Sequence, residues 1–86
     1  MTTFVALIHK DPGSDYGVSF PDFPGCISAG RDVTEAMAMA EEALGAHVEL
    51  MIESGQEIPR PTAPTVVQRS RTARGAILAL VSVTPR

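Results

Sequence analysis

The side chains of this 86-residue chain best suited to chemistry are two histidines, one cysteine and ten carboxylates, and their spacing builds no familiar catalytic centre. His9 closes an apolar run beside a turn, and His47 falls on or beside an apolar helical stripe. Both are places where a partly buried structural histidine is commoner than a catalytic one. Cys26 would need a neighbouring base and a lowered pKa to act as a nucleophile; a small apolar side chain at the start of a strand suits it better. No Cys/His spacing matches a zinc site, and neither G-x-x-x-x-G-K-S/T nor G-x-G-x-x-G occurs. Met37, Met39 and Met51 fit core or interface filler, so no cofactor is expected. Arg69, Arg71 and Arg74 could meet phosphate. Three charges without an aromatic platform fit a solvated loop or a protein contact better.

What does stand out is the distribution of charge. Residues 1–58 hold all ten acids against Lys10 and Arg31, a net −8, whereas residues 59–86 hold five arginines and no acid. An acidic body repels nucleic acid and attracts a basic partner. The length suits one domain, 1–86, that buries roughly 60–65% of its unfolded surface. A hydrophobic fraction of 44% is inconsistent with disorder. A single cysteine precludes an internal disulfide and suits a reducing cytoplasm. No apolar run approaches the roughly 20 residues of a membrane span. The N-terminus opens directly on a strand pattern, so no signal peptide is expected.

The elements that position these residues are legible in the periodicities. Residues 2–9 read as a strand apolar on both faces, Val5 and Leu7 on one and Phe4, Ala6 and Ile8 on the other, as in a strand covered on two sides. A turn at 11–15 leads into a returning strand on which Tyr16, Val18 and Phe20 share a face. Pro21-Asp22-Phe23-Pro24-Gly25 then forces a corner: two prolines fix φ and remove donors, and Gly25 can take a positive φ. Cys26 to Ala29 fits a short outer strand ended by Gly30. Asp32 and Glu35 have the D-x-x-E spacing of a capping box and open a helix expected from about 33 to 54. Its stripe includes Val33, Met37, Ala40, Leu44, Val48 and Met51. Gly45 costs up to ~1 kcal/mol inside a helix, which suggests close packing against the sheet. A connector broken by Pro59, Pro61 and Pro64 follows, with a turn or two of helix near 65–71. Residues 76–83 form a fourth strand, apolar on both faces at its start.

The Tyr16–Leu44 stretch resembles the HicB family, the antitoxins of HicAB toxin–antitoxin pairs. The resemblance is carried by Tyr16-Gly17-Val18, by Phe20-Pro21-Asp22-Phe23-Pro24-Gly25-Cys26, by Gly30, and by the helix opening Asp32 to Ala36. Glu53 to Pro59 and the run Ala76 to Val83 extend it over nearly the whole chain. The family's usual C-terminal DNA-binding module has no counterpart in it. The resemblance implies an α+β, partial RNase H-like fold: β-β-β-α-β, one main helix on a four-stranded mixed sheet of order 3-2-1-4. The helical crossover suggests a fourth strand parallel to the first. One helix covers one sheet face, so a second copy is expected on the other, giving a dimer or tetramer.

A nuclease of that fold needs carboxylates converging on Mg²⁺ from the first strand, the helix and the fourth strand. Neither strand holds an acid, which leaves Glu35, Glu41 and Glu42 without partners, so no enzyme activity is expected. The resemblance instead implies a protein-binding module that neutralises a HicA-like, mRNA-cleaving ribonuclease toxin in the cytoplasm by masking its active surface. Asp22, Phe23, Glu42, Glu49 and Glu53 are the candidate contacts. The rival readings are a solitary homo-oligomeric domain with another partner or ligand, and a residual nuclease. Specific DNA binding by this chain alone is not expected, since nothing after Val83 can form a groove-reading element.

Overall fold

A computed structural model describes residues 2–10 and 12–84. The elements are β1 (Thr2–Lys10), β2 (Tyr16–Ser19), β3 (Ile27–Gly30), α1 (Val33–Glu53), the short α2 (Pro64–Gln68), a 3₁₀ turn (Arg71–Ala73) and β4 (Ile77–Val83). The strands form one sheet in the order β3-β2-β1-β4. The strand order, the single main helix and the α+β class agree with the sequence reading.

One expectation is overturned. The sheet is not mixed, because β4 runs antiparallel to β1, pairing Ile77 with Ile8 and Val83 with Thr2. The reason lies in residues 54–76. The helix alone returns the chain to the edge from which β1 starts, and a strand begun there would be parallel to β1. The connector instead passes on. Ile58 packs with the helix-side core, Thr62 bonds to the corner after β2, and Val67 reaches Val5 and Leu7 on the opposite face. β4 therefore begins level with the far end of β1 and runs back.

The same path corrects a second expectation. The sheet face away from α1 is not left wholly for another copy, because Val67, Ala73, Ala76 and Leu78 pack on Val5 and Leu7 there. The main core lies on the other face. Phe4, Ala6 and Ile8 of β1, Val18 of β2 and Val81 of β4 meet Ala36, Ala40, Leu44 and Val48, the buried i, i+4 stripe of α1. The alternation of β1 is thus satisfied on both sides by one chain.

The corner and the helix start are the points of closest fit. Phe23 donates its N–H to Phe20 O and Cys26 to Phe23 O, both at 3.0 Å, while Gly25 takes φ +90°. Phe20, Phe23 and Cys26 turn inward, and the Phe23 ring meets Phe4 edge-on at 4.7 Å. Asp32 caps α1 by accepting the Glu35 N–H at 2.8 Å. Glu35 reaches back one residue further than a standard capping box, accepting the Arg31 N–H at 2.9 Å. Directly beneath, a Cβ on Gly30 would lie 2.3 Å from the Ala36 nitrogen. Gly45, by contrast, has no neighbour within 4 Å of an added Cβ, so close packing on the sheet is not its role. At the other end Gln56 donates to Met51 O and Gly55 to Ile52 O, the bond pair of a Schellman cap.

Candidate protein-binding surface

The corner and helix place the sequence-derived contact residues in different environments. Phe23 is 2% exposed and wedged between Phe4 and His47, whose ring centroid lies 5.7 Å away. Its ring shapes the corner from inside and is not presented to a partner. The Asp22 carboxylate accepts the Thr62 N–H at 2.9 Å and the Thr62 hydroxyl. It ties the corner to the connector across 40 positions of sequence, so its first role here is structural.

Glu42, Glu49 and Glu53 are all exposed. Their spacing of seven and four places them along one line of α1, opposite the buried Ala36–Val48 stripe. Glu41 flanks that line on the β4 side, where a groove of about 540 Å³ runs between α1 and the end of β4. Val48, Ile52 and Val83 give it an apolar part, and Glu41, Glu42 and Glu49 line it beside them. Gly45 also lines it, so the missing side chain opens this groove. The exposed Arg69, Arg71 and Arg74 belong to the connector on the opposite face of the sheet. The sequence asymmetry thus becomes a spatial one: acid along the helix, base on the far side.

The candidates for chemistry stay dispersed. His47 is half-buried against Phe23, and His9 lies on β1. Cys26 is 4% exposed, and burial pushes its thiol pKa up, away from the thiolate a nucleophile needs. Among the described residues no three His, Cys, Asp or Glu side chains come together to hold a metal. Glu35 is held below the usual carboxylate range by the Arg31 backbone N–H and then by the Arg31 guanidinium at 3.2 Å, a helix-start arrangement. The groove, the Asp22–Thr62 tie and the Gly30–Ala36 approach were not anticipated from the sequence. Only the glycine within a helix and the Asp in a proline-rich corner signalled them.

The fold is that of a small α+β domain: one long helix on an antiparallel sheet, the outer face of the helix acidic. The chain belongs to the HicB-like antitoxin family of bacterial toxin–antitoxin systems, which matches residues 4–86. It is similar to antitoxin HicB 2 of Photorhabdus laumondii subsp. laumondii, 37% identical over 58 residues, which is 67% of this chain and 40% of that one. The crystal structure of the Burkholderia pseudomallei antitoxin HicB superposes with TM-score 0.88 at 38% identity, covering 96% of this chain and 64% of that one. A chain of a HicA3–HicB3 toxin–antitoxin complex superposes with TM-score 0.80 at 28% identity, covering 98% and 100%. The chain spans 34–40% of the length of the curated relatives it matches. Among the described residues no helix is long and apolar enough to cross a membrane.

Proposed function

We propose that this chain is a cytoplasmic, non-enzymatic binding module that neutralises a small basic, HicA-like, mRNA-cleaving ribonuclease by covering its active surface. The observation that carries this reading is the acidic line Glu42, Glu49 and Glu53 along the exposed side of α1, beside a groove of mixed acidic and apolar lining. Carboxylates so arranged substitute for the phosphates a basic RNA-binding surface attracts. They raise the association rate and select the partner more than they add affinity. The superposition on a chain of a HicA3–HicB3 complex supports a partner of that kind. The test is growth rescue. Co-expression of this chain with a toxin encoded beside it restores growth, and Glu42→Lys with Glu49→Lys and Glu53→Lys abolishes the rescue while the circular dichroism spectrum is unchanged. Full rescue by the triple variant refutes the acidic line as the contact.

A second component, self-association into a dimer or tetramer, is favoured by large apolar side chains left at the surface, among them Ile27 at 72% and Leu80 at 56% exposure. The same reading has the chain alone bind DNA without sequence preference, weakly and with steep salt dependence through its arginines. A mobility shift on its own promoter against scrambled DNA checks this, and a hundredfold preference refutes it.

A further inference from the structure

We infer that β4 is the seam at which two copies of this chain join, pairing antiparallel about a two-fold axis at Leu80 to make one continuous eight-stranded sheet. This rests on the proposed self-association and takes up the groove, but not the outward acidic line, of the proposed toxin-binding surface. β4 is an edge strand, since among the described residues only β1 pairs with it. Natural sheets guard such edges with charge, proline, bulges or brevity. The other edge, β3, is four residues long and runs into Arg31. β4 has seven residues, Ile-Leu-Ala-Leu-Val-Ser-Val, with no charge, proline or glycine. Ile77 and Leu80 stand 54% and 56% exposed on it.

The sequence of β4 is self-complementary in one register. With Leu80 facing its own copy, Ala79 faces Val81, Leu78 faces Ser82 and Ile77 faces Val83 of the second molecule. Each residue meets one of the same parity, so outward backbone donors and acceptors meet outward ones, giving about six hydrogen bonds. The faces match as well. Leu78, Leu80 and Ser82 point away from α1, with Leu7, Val5 and Thr3 as their respective cross-strand neighbours on β1. The connector side chains that cover Val5 and Leu7 leave Leu80 half open. The two-fold axis places the second Leu80 on that opening.

On the α1 face, Ile77 and the groove complement each other. Ile77 lies at one end of β4, and the groove that Val48, Ile52 and Val83 help to line lies at the other. The register sets the second copy's Ile77 beside Val83, at that apolar part, and the symmetry repeats the contact. The acidic line of α1 points away from the sheet: Glu42 and Glu49 border the occupied groove, and Glu53 lies outside its lining. At about 3.3 Å per residue the seam is about 23 Å long. Across a molecule whose shortest extent is 20 Å, it buries about 900 Å² in total, below the range of stable specific interfaces and within that of weak, transient ones. Dimerisation is therefore expected in the micromolar range rather than the nanomolar.

Sedimentation velocity between about 5 and 100 µM tests the seam. The wild-type chain gains mass toward the dimer over that range, and Leu80→Lys stays monomeric with an unchanged melting curve. Leu80→Cys supplies an independent measurement. Paired Cα atoms about 4.5–5.5 Å apart permit a disulfide. Diamide then yields a covalent dimer, while the exposed helical control Thr34→Cys stays monomeric, and Cys26, 4% exposed, does not react. A monomeric wild-type chain at 100 µM overturns the seam and the self-association together. A wild-type dimer unaffected by Leu80→Lys, with no Leu80→Cys cross-link, overturns the seam alone. A monomer that binds its toxin and loses it on Leu80→Lys assigns the edge to that partner and also overturns the seam.

Discussion

Gly30→Ala is the change to which this fold should be least tolerant. Gly30 ends β3 directly beneath the start of α1. An added Cβ would lie 2.3 Å from the Ala36 nitrogen, 2.7 Å from its Cα and 2.8 Å from the Glu35 carbonyl carbon. All three are backbone atoms, so no rotamer change relieves the overlap. Ordinary contact requires the first turn of α1 to retreat by about 1 Å. That turn is fixed by the Asp32 cap at 2.8 Å, by the Arg31–Glu35 bond at 2.9 Å and by Ala36, which is fully buried. Inserting one methyl group into a close-packed site costs about 1–3 kcal/mol. The rigid backbone and the cap put Gly30→Ala at the top of that range, about 3 kcal/mol. A domain of this size has only about 5 kcal/mol in hand. At about 4–8 °C per kcal/mol the melting temperature falls by about 12–24 °C. Thermal and urea unfolding followed by circular dichroism measure it. A melting temperature within 3 °C of wild type would refute the close approach of β3 and α1.

Gly25→Ala is a contrasting case: nothing lies within 4 Å of the added Cβ, but φ is +90°, so the cost is backbone strain of about 1 kcal/mol, read as a smaller shift in urea midpoint. Asp22→Ala removes both hydrogen bonds and leaves the part-buried Thr62 N–H and hydroxyl without that partner. It should destabilise by about 2 kcal/mol and raise amide exchange in the connector around 58–64. The lowered pKa of Glu35 implies that its contribution is complete above the unfolded carboxylate value near 4.3 and is lost as pH falls through the folded value. Stability curves of wild type and Glu35→Gln should therefore differ at neutral pH and converge in acid; parallel curves down to the lowest pH contradict the helix-start arrangement. Incubation of the pure protein with labelled RNA and Mg²⁺ or Mn²⁺ should leave the RNA intact, and cleavage lost in Glu35→Ala or Glu41→Ala would overturn the non-enzymatic reading.

The sequence by itself determined the elements and the membership. Alternation on β1 and β2, the Pro-Asp-Phe-Pro-Gly corner and the Asp32 cap are written in local residue requirements, because side-chain period, φ restriction and capping act over a few neighbouring positions. The ends of the elements moved by only a residue or so: α1 stops at Glu53 and β3 begins at Ile27. Charge asymmetry was equally legible, since it is a count along the chain. The direction of β4 was not, because it depends on the course of residues 54–76, and prolines show that a segment is irregular without showing where it goes. Nor was the fate of the corner: the same Phe23 reads as exposed loop or as core until the helix that covers it is placed. Asp22 reads as a free acid until Thr62, 40 residues away, arrives beside it. The groove at Gly45 exists only between α1 and β4, two elements that meet in space and not in sequence. Tertiary structure decided those points because each is a distance between chain segments whose separation no local propensity encodes.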